Sequence, residues 1–293
     1  MVNSAHADLL ASLERWLQSD SAVQAAVLFG SRVREQKNPA AADRWSDIDL
    51  HVITSAADRL EKMDWAQALP DQRLFLQAVR PASGGVRKVT LLLGNGEADL
   101  VVVPSVKLRL AALAMTLGLH RRVGFIGAAL NNLSTIMGGG YRFLKGEKTW
   151  GRFYARVVSE MPGFRLNDDE VRRLADVALC DLLWVLQKLE RGEWVAAQRI
   201  LHRCALETNV VLLHELRMRR GEATFQQARR VEKLMPTEQL ASLQISARLD
   251  PKELNVATWK ILSGLKAVMA QMVPEWAVPS GVEALLAAFT PAR

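Results

Sequence analysis

The chain has 293 residues, 49% hydrophobic and 24% charged, the balance of a globular protein able to bury a real core and long enough for two domains of ordinary size. Its two cysteines, Cys180 and Cys204, sit in apolar helical patterns rather than at a paired ligand spacing, which argues against a disulfide framework or a zinc site. The net charge of +7 is uneven: up to Pro104 there are 11 Lys+Arg against 13 Asp+Glu, and beyond it 27 against 18, so the basic excess lies dispersed in the second part. No aromatic-and-basic strand motif accompanies that excess, and a nucleic-acid partner is not expected.

The opening MVNSAHADLLASLERWLQSD lacks a basic region followed by an apolar one, and no later stretch approaches the run of about 18 apolar residues that a membrane span needs. A cytoplasmic protein with no membrane partner is the expectation. Leu9, Leu10, Leu13, Trp16 and Leu17 recur at helical spacing and predict a helix over 7–18. AAVLF, 25–29, is a short unbroken apolar run closed by Gly30, the pattern of a strand buried on both faces. In DIDLHVI, 47–53, Ile48, Leu50 and Val52 alternate with Asp47, Asp49, His51 and Ile53, which predicts a strand with its acids on one face. A helix is expected over 57–68, and VRKVTLLLG with EADLVVVP reads as a hairpin around Gly94, Asn95 and Gly96.

After Pro104 the strand signals stop. A helix is expected over 105–119, 120–150 is interrupted by Gly138, Gly139 and Gly140, and 167–190 carries the clearest helical pattern, with Asn167 and Glu170 at its start as a cap. Further helices are expected over 193–220, stopped by Gly221, and over 224–243 and 251–272. The resulting division is 1–104 for an α/β domain and 105–293 for an α-helical bundle, without internal repeats.

Two aspartates at i and i+2 on a strand point the same way, roughly 6 to 7 Å apart. Held together they repel unless a cation neutralises them, and magnesium prefers such carboxylate oxygens while keeping positions open for phosphate and water. Gly30 permits a tight turn and close backbone approach, and the N–H groups and hydroxyl of Ser31 can hold phosphate oxygens. Asp99, opening the strand of EADLVVVP, supplies a third carboxylate if the hairpin packs beside 47–53. Such a set suits two-metal phosphoryl chemistry, with ions about 3.5 to 4 Å apart. His51 continues the acid face and is expected to be a partly buried strand histidine rather than a ligand. Trp45 is expected to pack rather than to stack on a substrate.

FGSR, WSDIDL and EADLVVV, at 29–32, 45–50 and 97–103, resemble the Gly-Ser and Asp-x-Asp signature of the nucleotidyltransferase superfamily, and most resemble the aminoglycoside 6-adenylyltransferases, the streptomycin-modifying group. LQKLERGEWVAAQ, with Arg191 and Glu193, is similar to the second domain of that group. Fifteen residues separate Ser31 from Asp47, and NPAAAD at 38–43 enlarges that loop. The resemblance implies an α+β fold class: an N-terminal mixed-sheet nucleotidyltransferase domain like that of DNA polymerase beta, followed by a C-terminal α-helical bundle. It implies transfer of AMP from ATP to a hydroxyl of a small molecule, an aminoglycoside such as streptomycin, with release of pyrophosphate and with two magnesium ions.

In that mechanism Gly30 and Ser31 hold the triphosphate, Arg32 pairs with phosphate oxygens, Asp47 and Asp49 bind the metal with Asp99, and Asp99 positions or activates the nucleophile. The acceptor would enter between the domains. A carboxylate of the helical part could take the hydroxyl proton, with Asp181, Glu193 and Glu207 as candidates. Asp181, Trp184 and Lys188 share one helical stripe, where Lys188 could touch phosphate and the alternative is a salt-bridged outer face. Arg199 and Arg203 stand at helical spacing from Glu207 and would pair with it, and Glu193 also suits the first turn of a helix. Other acceptors remain open, a lincosamide, a metabolite or a partner protein, as does a module that binds nucleotide without turning it over.

Overall fold

The computed structural model describes residues 2–35, 41–225, 228–243, 245 and 247–289, so the first half of NPAAAD, 38–40, lies outside the described residues. The chain forms two compact units, Met1–Phe164 and Arg165–Arg293.

In the first unit, helix α1 (Val2–Ser19) leads into strand β1 (Val23–Phe29), and β2 (Ile48–Thr54) follows the loop that carries Asp47. Next come two short helices, α2 (Ala57–Glu61) and α3 (Trp65–Ala68), where one helix over 57–68 is expected. The break has a local cause: the Asp64 carboxylate accepts from the Ala66 and Gln67 amides and starts a new helix in mid-pattern. Strands β3 (Leu74–Ala82), β4 (Val86–Leu93) and β5 (Gly96–Pro104) complete the central part. After α4 (Ser105–Thr116) and α5 (Gly124–Met137), β6 (Tyr141–Lys145) returns to the sheet before α6 (Glu147–Glu160).

The sheet order is β3-β4-β5-β2-β1-β6. Only β2 and β5 run parallel; the other pairs are antiparallel. Its fully apolar strands read as they pack. On one face Leu28, Ile48, Leu50, Val52, Leu100 and Val102 bury against Leu9, Leu13, Trp16 and Leu17 of α1 and Trp65 of α3. On the other, Val27, Phe29, Ile53 and Val103 meet Leu108, Met115, Leu130, Trp150 and Tyr154 from α4, α5 and α6. The alternation of β2 thus divides two cores, and its acids lie on the face shared with α4, α5 and α6.

Two expectations are corrected by β6. Strands do not stop at Pro104, and the boundary drawn there falls instead after Phe164. Phe29 pairs with Tyr141 and Val27 with Phe143 across the β1–β6 ladder, so 105–164 belong to the sheet unit.

The second unit is helical: α7 (Asp168–Glu190), α8 (Trp194–Ile200), α9 (Glu207–Arg219), α10 (Val231–Leu234), α11 (Thr237–Leu243), α12 (Pro251–Met272) and α13 (Ser280–Ala287). Asn167 forms a reciprocal capping box with Glu170 at the start of α7, at 2.9 Å in each direction. Val171, Ala178, Leu182, Val185 and Leu189 are buried on one face of α7 against Leu212, Leu216, Ile261 and Leu265. The helix expected over 193–220 is interrupted by a π-helical turn, Leu201–Leu206. The one expected over 224–243 is replaced by α10 and α11, which Pro236 separates. The α+β class and the helical second part agree with the sequence reading.

Candidate active site

Parallel pairing of β2 with β5 sets Asp49 directly beside Asp99. Neighbouring strands are about 4.8 Å apart, which brings the two carboxylates to the same spot from different strands. Asp47 stands one residue before β2 on the same alternation, and carboxylate oxygens of Asp47, Asp49 and Asp99 all lie within 4.8 Å of one another. The structure therefore assembles the three acids that the sequence singles out.

Asp99 is buried, 5% exposed, and both of its oxygens are engaged. Thr90 donates its hydroxyl to Oδ1 at 2.6 Å, and the Lys88 ammonium forms an ion pair with Oδ2. Thr90 faces Asp99 across the antiparallel β4–β5 ladder, and Lys88 lies two residues earlier on the same face. A fourth acid, Glu97, precedes Asp99 by two on β5. Its pKa is raised, first by burial and then by the negative charge of Asp99 and Asp47, with Lys88 and Arg80 opposing. The sequence reading missed Lys88, Thr90 and Glu97, although alternation in VRKVT and EAD would place all three on the acid face.

Gly30 follows β1 with φ +80°, a conformation in which glycine is favoured, and a Cβ added there would collide with Asp49 Oδ2. Close approach of the backbone to the acids is thus built into that turn. Ser31, next in the short 3-10 turn Gly30–Val33, is 2% exposed, and its buried Oγ has no partner among the described residues. A buried hydroxyl without a partner costs stability unless something accepts or donates there.

Arg32 is held by the loop that precedes β2. Its Nε donates to the Asp47 carbonyl at 2.9 Å and its NH2 to the Ser46 carbonyl at 2.5 Å, so it braces the segment carrying Asp47. Burial lowers its pKa, against the raising influence of Asp47, Asp43 and Asp49. Asp43 stiffens the same segment by accepting from the Trp45 amide at 2.9 Å and the Ser46 hydroxyl at 3.2 Å. Trp45 does not pack as expected: it is 80% exposed, with the Arg44 guanidinium 4.7 Å from its ring centroid.

His51 is more deeply buried than anticipated. It sits between the rings of Phe29 and Tyr154, its Nδ1 is 3.2 Å from the Tyr154 hydroxyl, and burial lowers its pKa to about 4. It remains a neutral core residue. In the second unit, Lys188 pairs with Glu193 at 2.5 Å, the salt-bridged alternative for that stripe. Trp184 is 50% exposed, and burial raises the pKa of Asp181, which lines an open groove on α7 with Arg173, Asp176 and Cys180. Among the described residues, no helix is long and apolar enough to cross a membrane.

The chain is similar to the crystal structure of an aminoglycoside 6-adenyltransferase from Bacillus subtilis, with a TM-score of 0.40 and 10% identity over 96% of this chain and 95% of that one. It is also similar to a nucleotidyltransferase-like protein from Exiguobacterium sibiricum, with a TM-score of 0.31 and 12% identity over 91% of this chain and 76% of that one. No protein-family model matches the chain, and no curated protein matches it.

Proposed function

We propose that the chain is a magnesium-dependent nucleotidyltransferase that moves AMP from ATP to a hydroxyl of a small molecule. The observation that carries this reading is the joint geometry of the strand ends: three carboxylates within 4.8 Å, beside a turn in which Gly30 leaves no room for a Cβ and Ser31 buries an unpartnered hydroxyl. Hard carboxylate oxygens suit magnesium, and three of them converge here. Bound there, the metal would offset charge on the phosphates and stabilise the oxygens that attack and leave.

The residues of the chain then have distinct tasks. Asp47 and Asp49 would hold the ion, with Arg32 fixing the Asp47 backbone. Ser31 Oγ and the Gly30–Ser31 backbone would take phosphate oxygens. The acceptor oxygen attacks the α-phosphorus, the bond from that phosphorus to the oxygen bridging to the β-phosphate breaks, and pyrophosphate leaves with that oxygen. The acceptor oxygen gives up its proton to a carboxylate base as it attacks. The sequence resemblance points to an aminoglycoside such as streptomycin as acceptor.

The test is pyrophosphate release from purified protein with ATP and magnesium, offering streptomycin, other aminoglycosides and a lincosamide separately. Release with one class of acceptor, abolished in a folded Asp49→Asn variant, is the expected result. Full activity in Asp47→Asn or Asp49→Asn would sink the assignment.

A further inference from the structure

Two-metal phosphoryl transfer needs a third carboxylate that is available to the second ion, and here that carboxylate is already committed. Asp99 gives Oδ1 to the Thr90 hydroxyl and Oδ2 to the Lys88 ammonium, in a position only 5% exposed. Both donors come from β4, whose antiparallel register with β5 fixes Thr90 opposite Asp99 and Lys88 diagonal to it. The lysine is itself largely sheltered, its side chain 29% exposed, so its charge is held at the site rather than lost to solvent. We propose that the Lys88 ammonium takes the place of the second metal ion, so that the chain binds one divalent cation, on Asp47 and Asp49, and uses Asp99 to hold Lys88.

Charge and coordination both favour this arrangement, which rests on the nucleotidyltransferase reading. A single divalent ion together with one ammonium balances three carboxylates. A second divalent ion on Asp99 would stand beside a fixed positive charge in a poorly solvated place, and the repulsion between them would not be screened. Magnesium typically takes one or two carboxylates and completes its octahedron with water and substrate phosphates, a demand that Asp47 and Asp49 meet without Asp99. Lysine brings a compact point charge with three donors, of which the bond to Asp99 uses one. The remaining two can face the phosphate or acceptor oxygens that the second ion would otherwise have met.

The proposal is tested by counting ions directly. Crystals of the full chain grown with Mn2+ and α,β-methylene-ATP, which cannot undergo the transfer, are examined by anomalous scattering for the wild type, Lys88→Met and Lys88→Arg. One Mn2+ is expected in the wild type and in Lys88→Arg, and two in Lys88→Met, about 3.5 to 4 Å apart. In solution, pyrophosphate release should depend on magnesium to first order in the wild type and to second order in Lys88→Met. Two ions in the wild type, or a single ion in folded Lys88→Met, overturns the proposal while leaving the nucleotidyltransferase reading in place. Absence of Mn2+ from Asp47 and Asp49 in all three proteins overturns that reading as well. Should Lys88→Met fail to fold, the wild-type count decides alone.

Discussion

Replacing Ser31 with alanine should move stability and nucleotide binding in opposite directions. The Ser31 hydroxyl is buried with no partner among the described residues, so folding strips it of water and returns no hydrogen bond. An unsatisfied buried hydroxyl costs about 1–3 kcal/mol, and the small void left when it is removed takes back part of that gain. Ser31→Ala should therefore stabilise the sheet unit by about 1 kcal/mol, a rise of about 2–4 °C in Tm for a unit of this size. The same change removes a donor to the triphosphate. Hydrogen bonds to charged groups are worth about 1.5–3 kcal/mol, which predicts roughly 10- to 100-fold weaker binding of ATP with magnesium. Calorimetry supplies both numbers, from thermal unfolding of the free protein and from titration with the non-transferable ATP analogue. A lower Tm combined with unchanged affinity would refute the reasoning, since it would mean that the hydroxyl serves the fold and not a ligand.

Gly30→Ala carries the opposite stability sign. Its φ of +80° is strained for any other residue, and the new methyl would displace the Asp49 carboxylate, so a loss of about 1–3 kcal/mol and at least a 100-fold fall in pyrophosphate release are expected, read by thermal melts and enzyme assay. Asn167→Ala breaks the capping box of α7 and should cost about 1 kcal/mol without changing the ATP affinity of the sheet unit, measurable by urea unfolding. Acid should weaken the helical unit through Glu215. Burial pushes its pKa up, but bonds from Arg165, the Leu166 amide and Arg219 together hold it below the ordinary value. A depressed carboxyl stabilises the fold above its unfolded pKa of about 4.3, and that contribution is lost as pH falls through the lower folded value. Glu215→Gln should cost about 2 kcal/mol at pH 7, and the gap to wild type should narrow in urea melts below pH 4. A gap that stays constant with pH would exclude this linkage.

What could be read from the sequence follows from where each signal is stored. The acid triad was legible because strand alternation fixes which side chains share a face, and the parallel register merely brought Asp49 and Asp99 to the same level. Helix α7 was legible because its cap and its apolar stripe are both local. Strand β3 was not: it lies at the sheet edge with Phe75, Leu76 and Val79 exposed, and Pro81 in its run reads as a strand breaker. Nor was β6, five residues whose only reason to be extended is pairing with β1, more than a hundred positions earlier. The same distinction governs the site. Residue type placed a cation, Arg32, in the Gly30–Val33 turn, yet its direction depends on the carbonyls of Ser46 and Asp47, which only the folded loop presents. Lys88 shows the converse case. Its face was readable from its spacing to Thr90, but its meaning was not, because an ammonium two residues from a threonine becomes a rival to a metal ion only when β5 brings Asp99 between them. Composition and periodicity therefore locate charges on faces, while the long-range register decides which opposite charges already satisfy each other and which await a ligand.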